Sequence, residues 1–187
     1  MKTTKSKLAQ PGALLQSSDH ESVDIDEISK YLKKVSYWIG QIVFEFNELE
    51  HTITNVIGER INTADVRGYE YVFLTGLAYS QKIELLKRLY KYEINFVNPP
   101  ERQKQLSKKT NEIIEEMKAL GNIRNTIIHA NYYSLDKNGF IRKEIKFSES
   151  DAEEQWVIIT RDFLVENLNR IMEVSKRLEE FDEEIYI

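Results

Sequence analysis

The stretch Ile28-Ser-Lys-Tyr-Leu-Lys-Lys-Val-Ser-Tyr-Trp-Ile-Gly-Gln-Ile-Val-Phe-Glu-Phe-Asn-Glu-Leu-Glu-His-Thr-Ile-Thr-Asn-Val56 carries the longest regular pattern of the chain. Its apolar residues recur at alternating spacings of four and three: Ile28, Leu32, Val35, Ile39, Ile42, Phe46, Leu49, Ile53 and Val56. This spacing predicts a long amphipathic helix with one continuous apolar stripe. Asp24 or Asp26 is predicted to cap its start, and Gly58 to end it.

Two further helices are expected after a polar loop at residues 59–70. The first carries leucines from Leu74 to Leu89 and stops before Asn98-Pro-Pro100, because proline cannot continue a helix. The second runs from about Glu101 to about Ala130. Both predictions rest on apolar residues that repeat with the helical period.

The pattern changes from helical to strand-like after the third helix. Residues 131–135 and 140–147 flank Asp136-Lys-Asn-Gly139, which is typical of a β-hairpin, and residues 156–160 fit a third short strand. Thr160 or Asp162 is then predicted to cap a last helix. Its apolar face comprises Leu164, Leu168, Ile171 and Leu178, with Ser175.

These elements predict an all-α fold: a four- to five-helix bundle with a small β-hairpin or three-strand insertion before the last helix. We place the insertion at about residues 131–160 and one helical domain at residues 23–187. Residues 1–22 are polar and lack periodicity, and we interpret them as a flexible N-terminal tail.

The composition narrows the possible functions of this 187-residue chain. It contains no cysteine, which excludes disulfides and thiolate chemistry and fits a cytoplasmic protein. Its apolar runs are too short to cross a membrane. The three histidines are scattered, so neither a metal site nor another cofactor is expected.

Charge is distributed unevenly, although the net charge is only −5. Residues 82–109 contain eight basic and three acidic side chains, a local excess of five positive charges. This excess fits either a solvated helix face or a patch that attracts phosphate. Under the second interpretation, Lys108 and Lys109 are candidates for contacts to substrate.

The segment Arg124-Asn-Thr-Ile-Ile-His129 carries the main functional prediction. On an ideal helix Arg124 lies about 40° from Leu120, within the apolar stripe, where an unpaired charge would be costly. An imidazole can act as general base or acid, and a guanidinium can stabilise charge on a phosphoryl group. With Asn125 as an orienting group, the three side chains suit metal-independent cleavage of an RNA phosphodiester.

A structural explanation of the same residues is also possible. Arg124 could pair with Glu48 or Glu50, and His129 could cap the C-terminus of its helix. The helical period separates Arg124 from His129 by about 140°, so one regular helix presents the two poorly to a single phosphate. Two copies facing each other across a twofold axis, or a distorted helix end, would bring them together.

Arg124-Asn-Thr-Ile-Ile-His129 resembles the R-x4-6-H motif of HEPN-domain proteins, in its Arg-Asn-x-x-x-His form. The order of the predicted helices is similar to theirs over roughly residues 26–182. The resemblance implies a HEPN-like bundle, a homodimer and a metal-independent ribonuclease acting on RNA in a cleft between protomers. It implies catalytic roles for Arg124, Asn125 and His129.

The same resemblance points to prokaryotic toxin–antitoxin, abortive-infection or other antiviral defence systems, with an antitoxin or defence protein as a possible partner. Some toxins of the family extend the motif to His-x-Tyr. Here Asn131 stands at that place and Tyr132 follows it. Regulation by nucleotidyl transfer to a tyrosine is therefore not carried over.

The function has two alternatives, and the role of Tyr132 is open. A non-catalytic HEPN-like module could bind RNA, a nucleotide or a protein partner with the same cleft. A structural adaptor could use the apolar stripe of residues 28–56 for assembly. Tyr132 could stack on an RNA base as part of the substrate site, or it could simply pack within the hairpin.

Overall fold

The computed structural model describes residues 21, 23–61, 73–147 and 152–186. Within these ranges the chain is mostly helical, and an antiparallel two-stranded hairpin precedes the last helix. The predicted fold class is therefore confirmed. Most of the predicted tail and of the predicted loop at residues 59–70 lies outside the described residues. The helices are α1 (Ile25–Ile61), α2 (Tyr79–Ile94), α3 (Pro100–His129) and α4 (Arg161–Tyr186), and the strands are β1 (Phe140–Phe147) and β2 (Ala152–Ile158).

Helix α1 begins where the sequence predicts and ends later. Asp24 accepts a hydrogen bond from the backbone N–H of Glu27 at 2.8 Å, which confirms it as the cap. The predicted end at Gly58 is wrong, because α1 continues to Ile61. Arg60 in this last turn forms ion pairs that hold it in place, and a glycine within a helix costs only about 1 kcal/mol.

The apolar stripe of α1 is buried as predicted. Two of its members, Leu32 and Ile39, are only half-buried. The other seven are at most 7 % exposed: Ile28, Val35, Ile42, Phe46, Leu49, Ile53 and Val56. Burial of this stripe is the main stabilising contribution of α1.

Helices α2 and α3 match the predicted pair closely. Residues 73–75 are also helical, but a turn separates them from α2, so the helix predicted to begin near Leu74 is interrupted. Gln81 accepts a hydrogen bond from the backbone N–H of Ala78 at 2.8 Å and so stabilises the start of α2. Pro100 opens α3, where its missing N–H costs nothing.

Gly121 lies in the middle of α3, against the ring of Tyr79. A Cβ atom at position 121 would lie 2.8 Å from Tyr79 Cε1. The ring cannot easily retreat, since the Tyr79 hydroxyl donates to the carbonyl oxygen of Met117 at 3.0 Å. The glycine therefore provides the space that this packing requires.

The strand predicted at residues 131–135 is wrong. Tyr132–Ser134 forms a short 3₁₀ helix, and only an isolated bridge joins Asn131 to Arg142 of β1. The cause is local, because the Asn131 side chain accepts a hydrogen bond from the backbone N–H of Tyr133 at 3.2 Å. The residue at position 131 thus favours a turn over a strand.

The turn before β1 forms as predicted. Asp136 accepts hydrogen bonds from the backbone N–H groups of Asn138 and Phe140, both at 2.8 Å. Gly139 has a φ of 83°, a left-handed conformation that glycine adopts without strain. The turn nevertheless leads from the 3₁₀ helix into β1 and does not join two strands.

The strand that pairs with β1 is β2, which is the predicted third strand with an earlier start. The register runs from Phe140 opposite Ile158 to Phe147 opposite Ala152, and it is shifted between Arg142 and Glu144. Phe140 and Trp156 are buried together next to Ile158. The insertion is thus a two-stranded hairpin.

The last helix is capped by Thr160, one of the two predicted residues. Its hydroxyl oxygen accepts a hydrogen bond from the backbone N–H of Phe163 at 3.1 Å. The predicted apolar face is buried at Leu164, Leu168, Ile171 and Leu178. Ser175, the polar member of that face, is half-buried.

By compactness the chain divides into two units. The first comprises Met1–Val43 with Asn122–Leu168, and the second comprises Phe44–Gly121 with Asn169–Ile187. The single domain predicted at residues 23–187 stays a prediction. In the described ranges, no helix combines the length and the apolar character that crossing a membrane requires.

Candidate functional site

A pocket of about 400 Å³ in the first unit is lined by one face of α3 and by Lys143 of β1. Its lining residues on α3 are spaced by three, one and three positions, which places them on one side of the helix. They are Asn122, Asn125, Thr126 and His129. Two predicted site residues, Asn125 and His129, therefore share this pocket.

His129 is the last residue of α3, and its side chain is exposed. Its imidazole has no hydrogen-bond partner within the described part of the chain. Such an imidazole can accept and return a proton. Of the lining groups, the imidazole is the one suited to act as a base at neutral pH.

Thr126 forms a wall of the pocket and does not act as a proton donor to a ligand. It is buried, and its hydroxyl donates to the carbonyl oxygen of Asn122, four residues earlier, at 3.0 Å. The single hydroxyl hydrogen is therefore used within the helix. Its lone pairs remain able to accept a hydrogen bond.

Arg124 does not line this pocket but reaches its edge through Asn125. Its Nη1 donates to Asn125 Oδ1 at 3.1 Å, its side chain is half-buried, and its Nε has no contact with solvent. The contact fixes the orientation of the Asn125 amide, whose oxygen faces the guanidinium. His129 therefore lines the pocket and Arg124 does not, as their predicted separation around the helix implies.

The segment after His129 fixes β1 beside the end of α3. The backbone N–H of Asn131 donates to the carbonyl oxygen of Arg142 at 2.7 Å, and the backbone N–H of Arg142 donates to Ser134 Oγ at 2.6 Å. Ser134 Oγ donates in turn to the carbonyl oxygen of Asn131 at 2.6 Å. These bonds position Lys143, the residue after Arg142, at the pocket.

Tyr132 packs within the first unit. Its hydroxyl donates to the carbonyl oxygen of Ile127 at 2.7 Å, and its ring stacks on Tyr31 with the ring centres 6.4 Å apart. Burial raises the pKa of the Tyr132 hydroxyl well above its ordinary value, and Tyr31 adds to the rise. These contacts favour the packing alternative, and a role in base stacking stays a prediction.

Lys108 and Lys109, the other predicted substrate contacts, lie in the second unit. Lys109 Nζ is 2.8 Å from both carboxylate oxygens of Glu184, and Lys108 Nζ is 3.8 Å from Glu112 on the next turn. Neither lysine lines the His129 pocket. Their contact with substrate stays a prediction.

The structural alternatives to a catalytic site are an ion pair of Arg124 and a helix cap formed by His129. Glu50, one of the two carboxylates considered for Arg124, accepts Lys82 Nζ at 2.7 Å. The His129 ring makes no capping hydrogen bond within the described residues. The His129 ring thus lies exposed at the end of α3.

Three lining residues were not among the predicted site residues. Asn122 and Thr126 follow from the helical period, since they lie seven and three positions before His129 on the same face. Lys143 could not be found this way, because it enters the site through the turn and bridge that place β1. Its position depends on the tertiary fold.

Neither a metal site nor a similar protein narrows the possible functions further. Within the described ranges, no group of three or more histidine, aspartate or glutamate side chains could hold a metal ion. Comparisons with protein-family models, with curated proteins and with solved structures find no match to this chain.

Proposed function

We propose that this protein is a metal-independent endoribonuclease. The observation that carries the proposal is the pocket itself, in which His129, Asn125 and Lys143 converge. Arg124, which hydrogen-bonds to Asn125, is the second cation, and in the dimer proposed below it reaches this pocket from the other protomer. A base, an amide and two cations can together support cleavage of a phosphodiester in the absence of a metal.

In the proposed reaction, His129 accepts the proton of a ribose 2′-hydroxyl. The 2′-oxygen attacks the adjacent phosphorus, and the bond from phosphorus to the 5′-oxygen breaks. His129 returns the proton to the leaving 5′-oxygen, so the products are a 2′,3′-cyclic phosphate and a 5′-hydroxyl. Arg124 and Lys143 stabilise the negative charge on the pentavalent phosphorus, and Asn125 orients the phosphate.

We further propose that the active form is a homodimer. Arg124 and His129 lie about 140° apart on an ideal helix, and Arg124 does not line the His129 pocket. A second copy related by a twofold axis would place the arginine of one protomer opposite the histidine of the other. The resemblance to HEPN-domain proteins supports this arrangement and a role in a prokaryotic toxin or defence system with a protein partner.

A second candidate is a module that binds RNA without cutting it. It is favoured by the pocket lining, because Asn122, Asn125 and Thr126 offer amide and hydroxyl groups suited to hydrogen bonding with nucleobases. In this case His129 would serve as one more polar contact. The two candidates differ in whether bound RNA is cleaved.

The test is RNA cleavage in the presence of EDTA by the wild-type protein and by His129→Ala. We expect the variant to lose about 10²- to 10⁴-fold in rate, since it lacks the general base. His51→Ala is the matched control, because His51 is also an exposed helical histidine and lies outside the pocket. Its rate should equal that of the wild type.

Three outcomes decide between the candidates. Cleavage that EDTA abolishes, or that persists in His129→Ala, contradicts the ribonuclease mechanism. Saturable binding of RNA by the wild type without any cleavage supports the second candidate. Folding of each variant is checked by circular dichroism.

The homodimer has its own test, which uses two inactive variants. A mixture of Arg124→Ala and His129→Ala protomers forms heterodimers in which one composite site retains both residues. Mixing should restore part of the activity that each variant lacks alone. If both residues of a site come from one protomer, mixing restores none.

A further inference from the structure

A second pocket, in the second unit, lies between α2 and α3 and has a volume of about 250 Å³. It is lined by Lys87, Lys91 and Ile94 of α2 and by Ser107, Thr110 and Asn111 of α3. Two of these side chains are cationic, three are neutral and polar, and none is a carboxylate. The pocket takes no part in the ribonuclease chemistry proposed for His129.

The two lysines create a local excess of positive charge. They lie one turn apart on α2, where like charges repel. Neither forms an ion pair within the described part of the chain. Glu84 is one turn before Lys87, but its carboxylate is 2.8 Å from Lys118. An anion in the pocket would therefore relieve the repulsion.

The main ion-pair partner of the Glu84 carboxylate is Lys118. The hydrogen bond and the charge of Lys118 lower the pKa of Glu84, and Lys87 and Arg88 add smaller contributions in the same direction. Since the Glu84 carboxylate is exposed, solvent screens its effect on Lys87. Lys91 lies a further turn away from it.

The opposite wall supplies hydrogen-bonding groups of two kinds. Ser107 and Thr110 donate their hydroxyl hydrogens to carbonyl oxygens four residues earlier in α3, at 2.8 and 2.9 Å. Their lone pairs can therefore accept from a ligand. Asn111 is exposed, and its amide has no hydrogen-bond partner among the described residues. It can donate to the ligand.

We infer that the pocket between α2 and α3 binds a ribose phosphate. Lys87 and Lys91 bind the phosphate oxygens, with Asn111 as an additional donor, and the hydroxyl oxygens of Ser107 and Thr110 accept from the sugar hydroxyls. Ile94, which is buried, gives the pocket an apolar floor. The shared chemistry is a phosphate on a sugar, either free as a nucleotide or within an RNA strand.

Titration calorimetry on the full chain carrying His129→Ala tests the inference without RNA cleavage. The probes are adenosine 5′-monophosphate and a short 2′-O-methyl oligonucleotide. We expect saturable binding of at least one probe, weakened at least about tenfold by the double variant Lys87→Gln, Lys91→Gln, which removes two charge-assisted contacts.

The matched control is the double variant Arg88→Gln, Lys104→Gln. It removes the same charge from exposed positions of α2 and α3 that do not line the pocket. Binding by the control should stay within about twofold of the parent protein, because neither side chain lines the pocket and exposed charges outside it are partly screened. A single substitution, Asn111→Glu, supplies a second test at an exposed position and should also weaken binding about tenfold.

The outcomes are distinct. Binding of the mononucleotide that is lost in the pocket variants identifies a free nucleotide, and pocket-dependent binding of the oligonucleotide alone identifies the RNA backbone. Equal loss in the pocket and control variants shows general charge attraction and overturns the inference. Absence of saturable binding, or binding unaffected by Asn111→Glu, also overturns it. None of these results depends on whether His129 cleaves RNA.

Discussion

Arg60 and Arg124 both lie on long helices among apolar residues, but their surroundings differ. The side chain of Arg60 is 1 % exposed, with Nε 3.1 Å from Glu93 and Nη1 2.5 Å from Asp182. Its guanidinium also lies 4.7 Å from the ring centre of Tyr90. This network lies within the second unit and is a buried ion pair with additional hydrogen bonds.

Arg124 makes a contact of another kind. Its Nη1 hydrogen-bonds to the neutral amide of Asn125, and that amide lines a pocket open to solvent beside His129. A position within an apolar stripe thus does not distinguish a structural arginine from one proposed to act in a site. The two arginines differ in these contacts, because Asp182 is buried beside Arg60, whereas the Asn125 amide beside Arg124 lines a pocket.

The largest expected effect is on stability, at Arg60. Arg60→Gln removes the cation from two carboxylates in the second unit and should lower the free energy of unfolding by about 3–5 kcal/mol. Urea denaturation measures the change. A loss below about 1 kcal/mol would show that the network does not stabilise the protein, and the contrast with Arg124 would fail.

The next effect is on activity, at Arg124. Under the proposed mechanism, Arg124→Gln should reduce the rate of RNA cleavage by about 10²- to 10³-fold, since it removes the group proposed to stabilise charge in the transition state. The free energy of unfolding should change by less than about 1 kcal/mol. Initial rates in EDTA and urea denaturation measure the two quantities. A stability loss like that of Arg60 would identify Arg124 as a second structural arginine.

A smaller effect on stability is expected at Gly121, which comes directly before Asn122, the first residue of α3 that lines the His129 pocket. Gly121→Ala should destabilise the protein by about 1–2 kcal/mol, because the new Cβ would overlap the Tyr79 ring. Gly40→Ala is the matched control on α1, since no atom lies within 4 Å of its Cβ position. It should raise the thermal midpoint, as alanine stabilises an exposed helical site by about 0.5–1 kcal/mol. Equal shifts in both variants would disprove the packing argument.

The smallest expected effect concerns Tyr132. Tyr132→Phe removes the hydrogen bond to the carbonyl oxygen of Ile127 and should cost about 1 kcal/mol of stability. If the residue only packs, the rate of RNA cleavage and the affinity for RNA stay unchanged. A selective loss of affinity would instead assign Tyr132 to substrate binding.

Some of these features can be predicted from the sequence because they depend on local periodicity. The apolar stripe of residues 28–56 predicts α1, and the same period places Asn125 and His129 on one face of α3. Other features depend on competition between interactions. Gly58 does not end α1, because the ion pairs of Arg60 fix the following turn. Asn131 does not enter a strand, because its side chain hydrogen-bonds to the backbone at Tyr133.

In the site, too, some residues can be predicted from local spacing and others only from the tertiary structure. Arg124 is identifiable as a misfit in an apolar stripe, but its hydrogen bond to Asn125 requires side-chain geometry. Lys143 lies fourteen positions beyond His129, and no spacing rule connects the two. The predicted hairpin placed residues 131–135 opposite β1, whereas β2 holds that place.

The bonds among Asn131, Ser134 and Arg142 have a consequence for how this site can diversify. They hold β1 to the segment that follows α3, and so one wall of the pocket belongs to a hairpin anchored at its base. The wall formed by α3 carries Asn125 and His129, and the hairpin wall carries Lys143. Substitutions at Lys143 can therefore change this wall of the pocket without altering the residues of α3.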